Sequence, residues 1–500
     1  MPDTNKHWMV SFDTDRIKDY VFATNSLKEI RGASAILLEI EEQRPAKLEN
    51  SNKIYGAGGG GAYFAEDQES AEALTRRIEN EFREKTETGS ITAVWVEGTK
   101  TGDHNWYKAL KSAAVRQMQK KKSSKAELAH LPLEPYMRPC ASCGQLPAEK
   151  RFNEDRSGDL LCLACYKKRE KGSEERYEGY LRKFKNHIGP SHAWYNARLP
   201  KDLNELGKVD GSGYVGFIKI DGNRMGMLFD EIDSPEQDKD YSKELKTTIE
   251  KLIYDALLQH GKIYQDVLPF EIVLIGGDDL MLFTTAKMAM PVTIEILRRF
   301  EEASPKILEG TGMQSQKLTM CAGVVLCHSN FPIPALADIG EDLLKNAKKK
   351  ASPLYDCGVI DYQVVTGSMI DLESARAAVP YHRPYTHLQM STLLQYARDF
   401  KKENMPASQL QMVYEACMSN STVEGTMAAL HMVGRLRNLR QQQLLKEFFT
   451  DKDLVEFKDK EANVWPWSRP AEKQANGQGE KLFSAFVDLL DLYRFVEKGA

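Results

Sequence analysis

The sequence predicts an α+β protein: two ferredoxin-like units, an inserted four-Cys zinc-ribbon helical module and a C-terminal helical domain. Three observations carry this expectation. Apolar spacing runs through the order β-α-β-β-α-β twice, two Cys-x-x-Cys pairs lie between the copies, and beyond about Tyr385 the periodicity is helical.

In the first copy Trp8–Phe12 reads as a strand, and Asp15 to about Glu42 has helical spacing through Ile17, Tyr20, Val21, Leu27, Ile30, Ala35 and Leu38. Lys53–Tyr55 and Ala62–Ala65 are short strands around the glycine-rich run Gly56–Gly61, a hairpin signal. A charged helix from about Asp67 to Lys85 and a strand at Ile91–Val96 complete the unit. A basic helical stretch (Lys108–Lys125), the four-cysteine module (Pro139–Lys168) and a charged helix (Ser173–His187) follow. After a Gly/Asp-rich linker at Leu206–Gly213, the second copy begins with a strand at Tyr214–Ile220 and a helix at Asp240–His260. Strands Phe270–Ile275 and Leu280–Thr284, helix Ala286–Ala303 and strand Leu318–Cys327 repeat the first pattern. A helix at about Pro334–Lys350 and a strand near Val359–Val364 extend it. The tail reads as helices Leu388–Phe400, Ser408–Met418, Thr422–Arg437, Gln441–Phe449 and Lys481–Val496, with an exposed loop at Glu461–Gly479. The expected domains are therefore 1–100, 101–205, 206–384 and 385–500.

Composition narrows the function. The chain has 500 residues, 42% hydrophobic and 28% charged, with 68 basic against 72 acidic residues and a net charge of −4. That is ordinary for a soluble globular protein and marks no general polyanion binder. No apolar run approaches the ~20 residues of a membrane span, and the first residues lack a signal-peptide core. Eight cysteines, four of them in CxxC pairs, favour metal binding in a reducing cytoplasm over disulfides.

The chemistry concentrates at Gly276-Gly277-Asp278-Asp279, where two apolar strands meet. Glycines permit a tight turn and close approach of a phosphate-bearing ligand. Consecutive aspartates at a strand tip are costly unless cations neutralise them, although a solvated Gly-Asp hairpin has the same spelling. A second carboxylate favours the metal reading. Strand Tyr214–Ile220 ends in Asp221-Gly222-Asn223-Arg224-Met225-Gly226, and in a β-α-β-β unit it lies beside the hairpin, so Asp221 can approach Asp278 and Asp279. Three such carboxylates suit two Mg²⁺ ions about 3.5–4 Å apart, as nucleotidyl transfer requires. Gly222 and Gly226 leave room for backbone N–H groups at a triphosphate.

The segment Ile218–Gly226 with Gly276-Gly277-Asp278-Asp279 resembles the catalytic palm of the CRISPR polymerase family, the large subunit of type III CRISPR effector complexes, distantly related to GGDEF cyclases. Ala322-Gly323-Val324-Val325, His328–Pro332, Leu343–Lys348 and the N-terminal Arg31-Gly32-Ala33-Ser34 fit the same resemblance. It implies two palm (GGDEF-like) domains, the first degenerate. It further implies that Asp221, Asp278 and Asp279 are catalytic and hold Mg²⁺ or Mn²⁺, and that Gly222, Asn223, Gly276, Gly277 and Lys348 bind the nucleotide. The implied reaction converts ATP to a cyclic oligoadenylate messenger in antiviral defence, with guide RNA and CRISPR effector subunits as partners. A homodimer stays open, and the two palms themselves suggest an internal pseudo-dimer. Many members begin with an HD nuclease domain; the first palm here starts at about residue 8, so DNA cleavage by this chain is not expected.

The first copy has Gly58-Gly59-Gly60-Gly61 where the second has Gly-Gly-Asp-Asp, so turn geometry is kept without the carboxylates, and Asp13 and Asp15 remain at its strand end. It reads as a non-catalytic palm that cradles an acceptor nucleotide, or as a loop without ligand. Cys140, Cys143, Cys162 and Cys165 are two knuckles 18 residues apart, the spacing of a structural Zn²⁺ ribbon, with redox or disulfide pairing as the alternative. Lys120, Lys121, Lys122, Lys150, Arg151, Lys167, Lys168 and Arg169 around it read as a solvated face or an RNA contact. Cys321, Cys327, Cys357 and Cys417 read as buried thiols. Two other functions fit less well. A non-catalytic scaffold binding guide RNA and proteins need not keep the carboxylates. A GGDEF-like dinucleotide cyclase would have Glu at Asp279 and no zinc module.

Overall fold

The computed structural model describes residues 6–47, 53–57, 59–100, 105–125, 133–153, 158–174, 179–313, 316–352, 356–367, 371–377, 379–457, 464–473 and 480–498. The first unit contains β1 (Lys6–Asp15), α1 (Ile17–Val21), α2 (Leu27–Lys47), β2 (Lys53–Ala57), β3 (Gly60–Ala65), α3 (Gln68–Thr86) and β4 (Ser90–Thr99). Then come α4 (Trp106–Ser124), β5 (Lys150–Arg151), β6 (Leu160–Leu161), α5 (Leu163–Glu174), α6 (Tyr180–Ile188) and α7 (Leu203–Val209). The second unit holds β7 (Tyr214–Gly222), α8 (Met225–Glu231), α9 (Pro235–His260), β8 (Phe270–Gly276), β9 (Asp279–Thr285), α10 (Ala286–Ile307), β10 (Met320–His328), α11 (Ile333–Ala351) and β11 (Val359–Val365). The tail is α12 (Leu372–Ala377), β12 (Tyr385–Thr386), α13 (His387–Lys402), α14 (Ala407–Met418), α15 (Thr422–Arg435), α16 (Leu439–Phe449), β13 (Arg469–Lys473), β14 (Glu480–Phe483) and α17 (Ala485–Tyr493).

The expected duplication is present in the strand order. The first sheet runs β2-β3-β1-β4, and the second runs β8-β9-β7-β10 with β11 and β12 added beyond β10. Local chemistry sets the helix starts. Asp67 caps α3 by accepting from Ser70 N–H at 2.7 Å, Ser234 caps α9 with Pro235 in its first turn, and Thr386 and Gln389 form a reciprocal box at α13. The apolar run of β8 is buried along its whole length, because helices cover both faces of this sheet edge.

The two units pack reciprocally. Helix α2 of the first lies on β8 of the second, while α9 of the second lies on β2 of the first, each helix being its unit's first long one. Arg31 on α2 ion-pairs with Glu271 on β8, and Ser34 Oγ donates to Val273 O. Phe22 meets Phe217 edge-on at 5.7 Å, and Tyr55 meets Phe229 at 5.0 Å. A continuous core thus crosses from unit to unit.

Several expectations need correction. The helix expected from Asp15 to Glu42 is two helices, α1 and α2, broken at residues 22–26. The linker at Leu206–Gly213 begins inside α7, with Leu206 fully buried against the second sheet. The exposed loop expected over Glu461–Gly479 contains β13 and a buried Trp467; residues 461–463 and 474–479 lie outside the described residues, as does Gly58. The helix expected from Lys481 starts only at Ala485, because Glu480–Phe483 pairs with β13. No described helix is long and apolar enough to cross a membrane.

Candidate active site and four-cysteine cluster

Asp221 stands near the end of β7, where the register Ile220↔Leu280 sets it opposite Asp279, the first residue of β9. Gly276 pairs with Asp279, so Gly277 and Asp278 are the two turn residues, and Gly277 takes φ +61 as a primed hairpin turn requires. The hairpin packs tightly on β7. A Cβ at Gly222 would stand 2.7 Å from Asp278 Oδ2 and 2.3 Å from Met225 Cγ, so only glycine admits the Asp278 side chain there.

The three carboxylates crowd one another. Burial, then the Asp221 charge, pushes Asp278 up to about 6. Burial also pushes Asp279 up to about 7; Asp221, Asp278 and Glu341 add to the rise, and Lys219 opposes it. Asp279 Oδ1 is buried without a hydrogen-bond partner. An orphaned carboxylate oxygen among like charges is the environment that a divalent cation relieves, so these residues fit the Mg²⁺ or Mn²⁺ expected of them. Lys348, in the last turn of α11, ion-pairs with Asp221 and donates to Gly222 O at 3.2 Å. Asn223 is buried; its Nδ2 donates to Thr319 Oγ1 at 2.8 Å and its N–H to Thr319 O at 2.9 Å, which fixes the turn leaving β7. With Arg224, Leu228, Lys317 and Asp356, Asn223 lines a cleft of about 410 Å³ beyond the end of β7, which the three carboxylates do not line.

Sequence reasoning missed Lys219. It alternates with Asp221 along β7, is buried, and ion-pairs with Glu341 of α11. The period of two along a strand was the available signal.

The first unit repeats the arrangement with the charges already satisfied. Phe12↔Gly61 and Ala57↔Gly60 put Asp13 at the position of Asp221 and, one residue earlier than the spelling suggests, Ala57 at the position of Gly276 and Gly60 at that of Asp279; Lys122, from the last turn of α4, meets Asp13 at 2.5 Å as Lys348 meets Asp221. Arg16 and Arg224 follow at matching places, both left-handed, with φ 51 and 58. Asp15, against the upward push of burial, is held at about 2 by Lys125, Thr92, Lys122 and Ser90.

The sulfurs of Cys140, Cys143, Cys162 and Cys165 all lie within 4.8 Å of one another, and Cys143 to Cys162 is 3.9 Å. Tetrahedral bonds of about 2.3 Å to one Zn²⁺ set sulfurs about 3.8 Å apart, so the donor set fits the ion. The module docks through α5 on α2. A Cβ at Gly32 would meet Lys168 O at 1.8 Å, and one at Gly172 would meet Lys28 O at 1.9 Å. Arg169 joins the buried Glu29 at 2.7 Å and Asp159 at 2.6 Å. Two of the expected surface cations, Lys168 and Arg169, are therefore buried, Lys168 against Tyr20 O. Lys121 and Lys167 stay partly exposed and are paired, Lys121 with Glu79 at 2.7 Å and Lys167 with Glu87 at 2.5 Å.

Residues 214–353 match the family model described as Cas10/Cmr2, second palm domain. No curated protein matches the sequence. Among solved structures, a Csm1–Csm4 cassette in complex with cA4 is similar with TM-score 0.59 and 15% identity, over 98% of this chain and 70% of that one. Csm1 in T. onnurineus is similar with TM-score 0.58 and 14% identity, over 100% of this chain and 71% of that one. A Csm1–Csm4 cassette in complex with AMPPNP has TM-score 0.57 and 15% identity, over 98% of this chain and 70% of that one. At these identities the likeness is one of fold. Residues 214–353 thus carry a Cas10/Cmr2-type second palm domain, and the chain around them has the Csm1 fold.

Proposed function

We propose that this chain is a nucleotidyltransferase that converts ATP to cyclic oligoadenylate in CRISPR-type antiviral defence. The observation that carries the reading is the convergence of Asp221, Asp278 and Asp279, from two separated stretches, beside Lys348. The similar cassettes in complex with cA4 and AMPPNP support the choice of adenine nucleotides.

In the proposed step the 3′-oxygen of one ATP forms a bond to the α-phosphorus of another, the bond from that phosphorus to the bridging oxygen breaks, and pyrophosphate leaves. The 3′-hydroxyl proton passes to solvent. Asp221, Asp278 and Asp279 would hold Mg²⁺ or Mn²⁺, which supplies charge neutralisation at the triphosphate oxygens. Lys348 lies at the carboxylate group and turns toward phosphate as the triphosphate enters. The narrow gap at Gly222 keeps the hairpin and β7 in register, so the reacting groups are positioned by rigid strands. The first palm, with Asp13 and Asp15 neutralised internally, serves as the non-catalytic half, and the four-Cys cluster holds structural Zn²⁺. Guide RNA and effector subunits are the proposed partners, and the domain division is the one drawn from sequence.

The test is incubation of the protein, with target RNA and effector partners, in ATP or GTP and Mg²⁺, followed by product masses. Cyclic oligoadenylates that vanish in Asp278→Ala/Asp279→Ala support the reading. Equal product from that double variant overturns the catalytic assignment, and a lack of product under every activating condition favours the scaffold.

A further inference from the structure

Cys357 is only half-buried, unlike the other three lone cysteines, and it has company. Its sulfur, an imidazole nitrogen of His387 and a carboxylate oxygen of Glu301 lie within 4.8 Å of one another. We propose that Glu301, Cys357 and His387 form a second metal site, for a borderline divalent ion such as Zn²⁺, which fastens the C-terminal helices to the second palm.

The donor set is the first ground. Thiolate, imidazole and carboxylate are all zinc ligands, and small rotations bring them around a common ion at about 2.0–2.3 Å. Two anionic ligands balance a divalent cation, and three protein ligands leave one position for water on the side where Cys357 is open. The second ground is a poorly aligned buried atom. His387 Nε2 is buried and ion-pairs with Glu301 Oε1 at 3.2 Å, outside the geometry of a good hydrogen bond, so a metal ion between them would satisfy both atoms better. The third ground is that the carboxylate is already oriented from behind. Gly358 N–H donates to Glu301 Oε1 at 2.6 Å, and Lys317 holds Oε2 at 2.7 Å. Ligating carboxylates are fixed by such outer contacts. Gly358 O in turn accepts from His387 N–H at 2.9 Å, so one residue steadies two of the ligands.

The location gives the site its consequence. Glu301 belongs to α10, Cys357 precedes β11, and His387 is the first residue of α13. Lys317, behind the carboxylate, also lines the cleft next to Asn223 and Arg224. A bound ion would therefore tie the helical tail to the palm at the edge of that cleft.

The test counts metal in the full chain without nucleotide, so its outcome is independent of any synthetic activity. Zinc-reconstituted wild type should hold about two Zn²⁺ per chain, one in the four-Cys cluster, and C357S or H387Q about one. Zn²⁺ should also slow alkylation of Cys357 by iodoacetamide at least ~10-fold, read by peptide mass, as expected when a thiolate becomes a ligand. About one Zn²⁺ in wild type, or two retained in C357S, overturns the proposal. So does alkylation of Cys357 that Zn²⁺ leaves unchanged, a result that would mark a hydrogen-bonded thiol only.

Discussion

Replacing Asp279 by Asn should stabilise the metal-free protein, and only above acidic pH. The Asp279 carboxyl is raised from 3.8 to about 7, chiefly by burial. At about 1.36 kcal/mol per unit this corresponds to about 4 kcal/mol, and solvent access to the half-buried group reduces it to on the order of 2 kcal/mol. The sign follows from proton linkage. A carboxyl with a raised folded pKa binds its proton more tightly in the folded state, so its stabilising effect is complete below about pH 4 and is lost as pH rises to about 7. Asn cannot ionise and escapes that loss. Thermal melts at pH 4 and pH 8 without divalent ions should thus show little difference at pH 4. At pH 8 the variant should melt about 4–8 °C higher, taking about 2–4 °C per kcal/mol. Saturating Mg²⁺ should close the gap by stabilising wild type, by about 2.7 kcal/mol at ~100 times its Kd, and should do little for the variant. Equal melting of the two proteins at pH 8, or no response of wild type to Mg²⁺, would refute the reasoning that these carboxylates are crowded for a cation.

Gly222→Ala should cost about 1–3 kcal/mol by overpacking and reduce synthesis about 100-fold or more, because its Cβ displaces Asp278; full activity in a product assay would contradict this. Arg31→Ala leaves Glu271, 2% exposed, as an uncompensated charge between the palms, so denaturant melts should show a loss of about 3–5 kcal/mol, largely recovered by adding Glu271→Leu. Stripping zinc by chelation should lower the melting temperature by several degrees through loss of the four-Cys module that seats on Gly32; an unchanged melt would count against the ribbon.

Much of the fold was legible because its signals are local. Period-two strands, period-three-to-four helices and glycine turns are written in neighbouring residues, and they disclosed both copies of the β-α-β-β-α-β order. The four cysteines were legible for the same reason, since ligand spacing within a knuckle is short. Other features failed where context overrode pattern. Glu480–Phe483 has helical company on its C-terminal side, yet it pairs with Arg469–Lys473. Lys168 and Arg169 sit in a charged run that reads as solvated, yet docking of α5 on α2 buries both. The break at residues 22–26 left no period of its own to detect.

The sequence by itself determined which side chains were available to the site: Asp221, Asp278, Asp279 and Lys348, with glycines where the backbone must turn. Only the tertiary structure decided their states. It paired Lys348 with Asp221, brought Lys219 and Glu341 against Asp279, and gave Asp13 its own lysine in the first palm. It also gathered Glu301, Cys357 and His387 from 301, 357 and 387 along the chain. Hydrogen-bond geometry and periodicity are properties of a few adjacent residues, whereas burial and charge proximity arise from sheet register and helix packing, and these join residues that lie from thirty to more than a hundred positions apart.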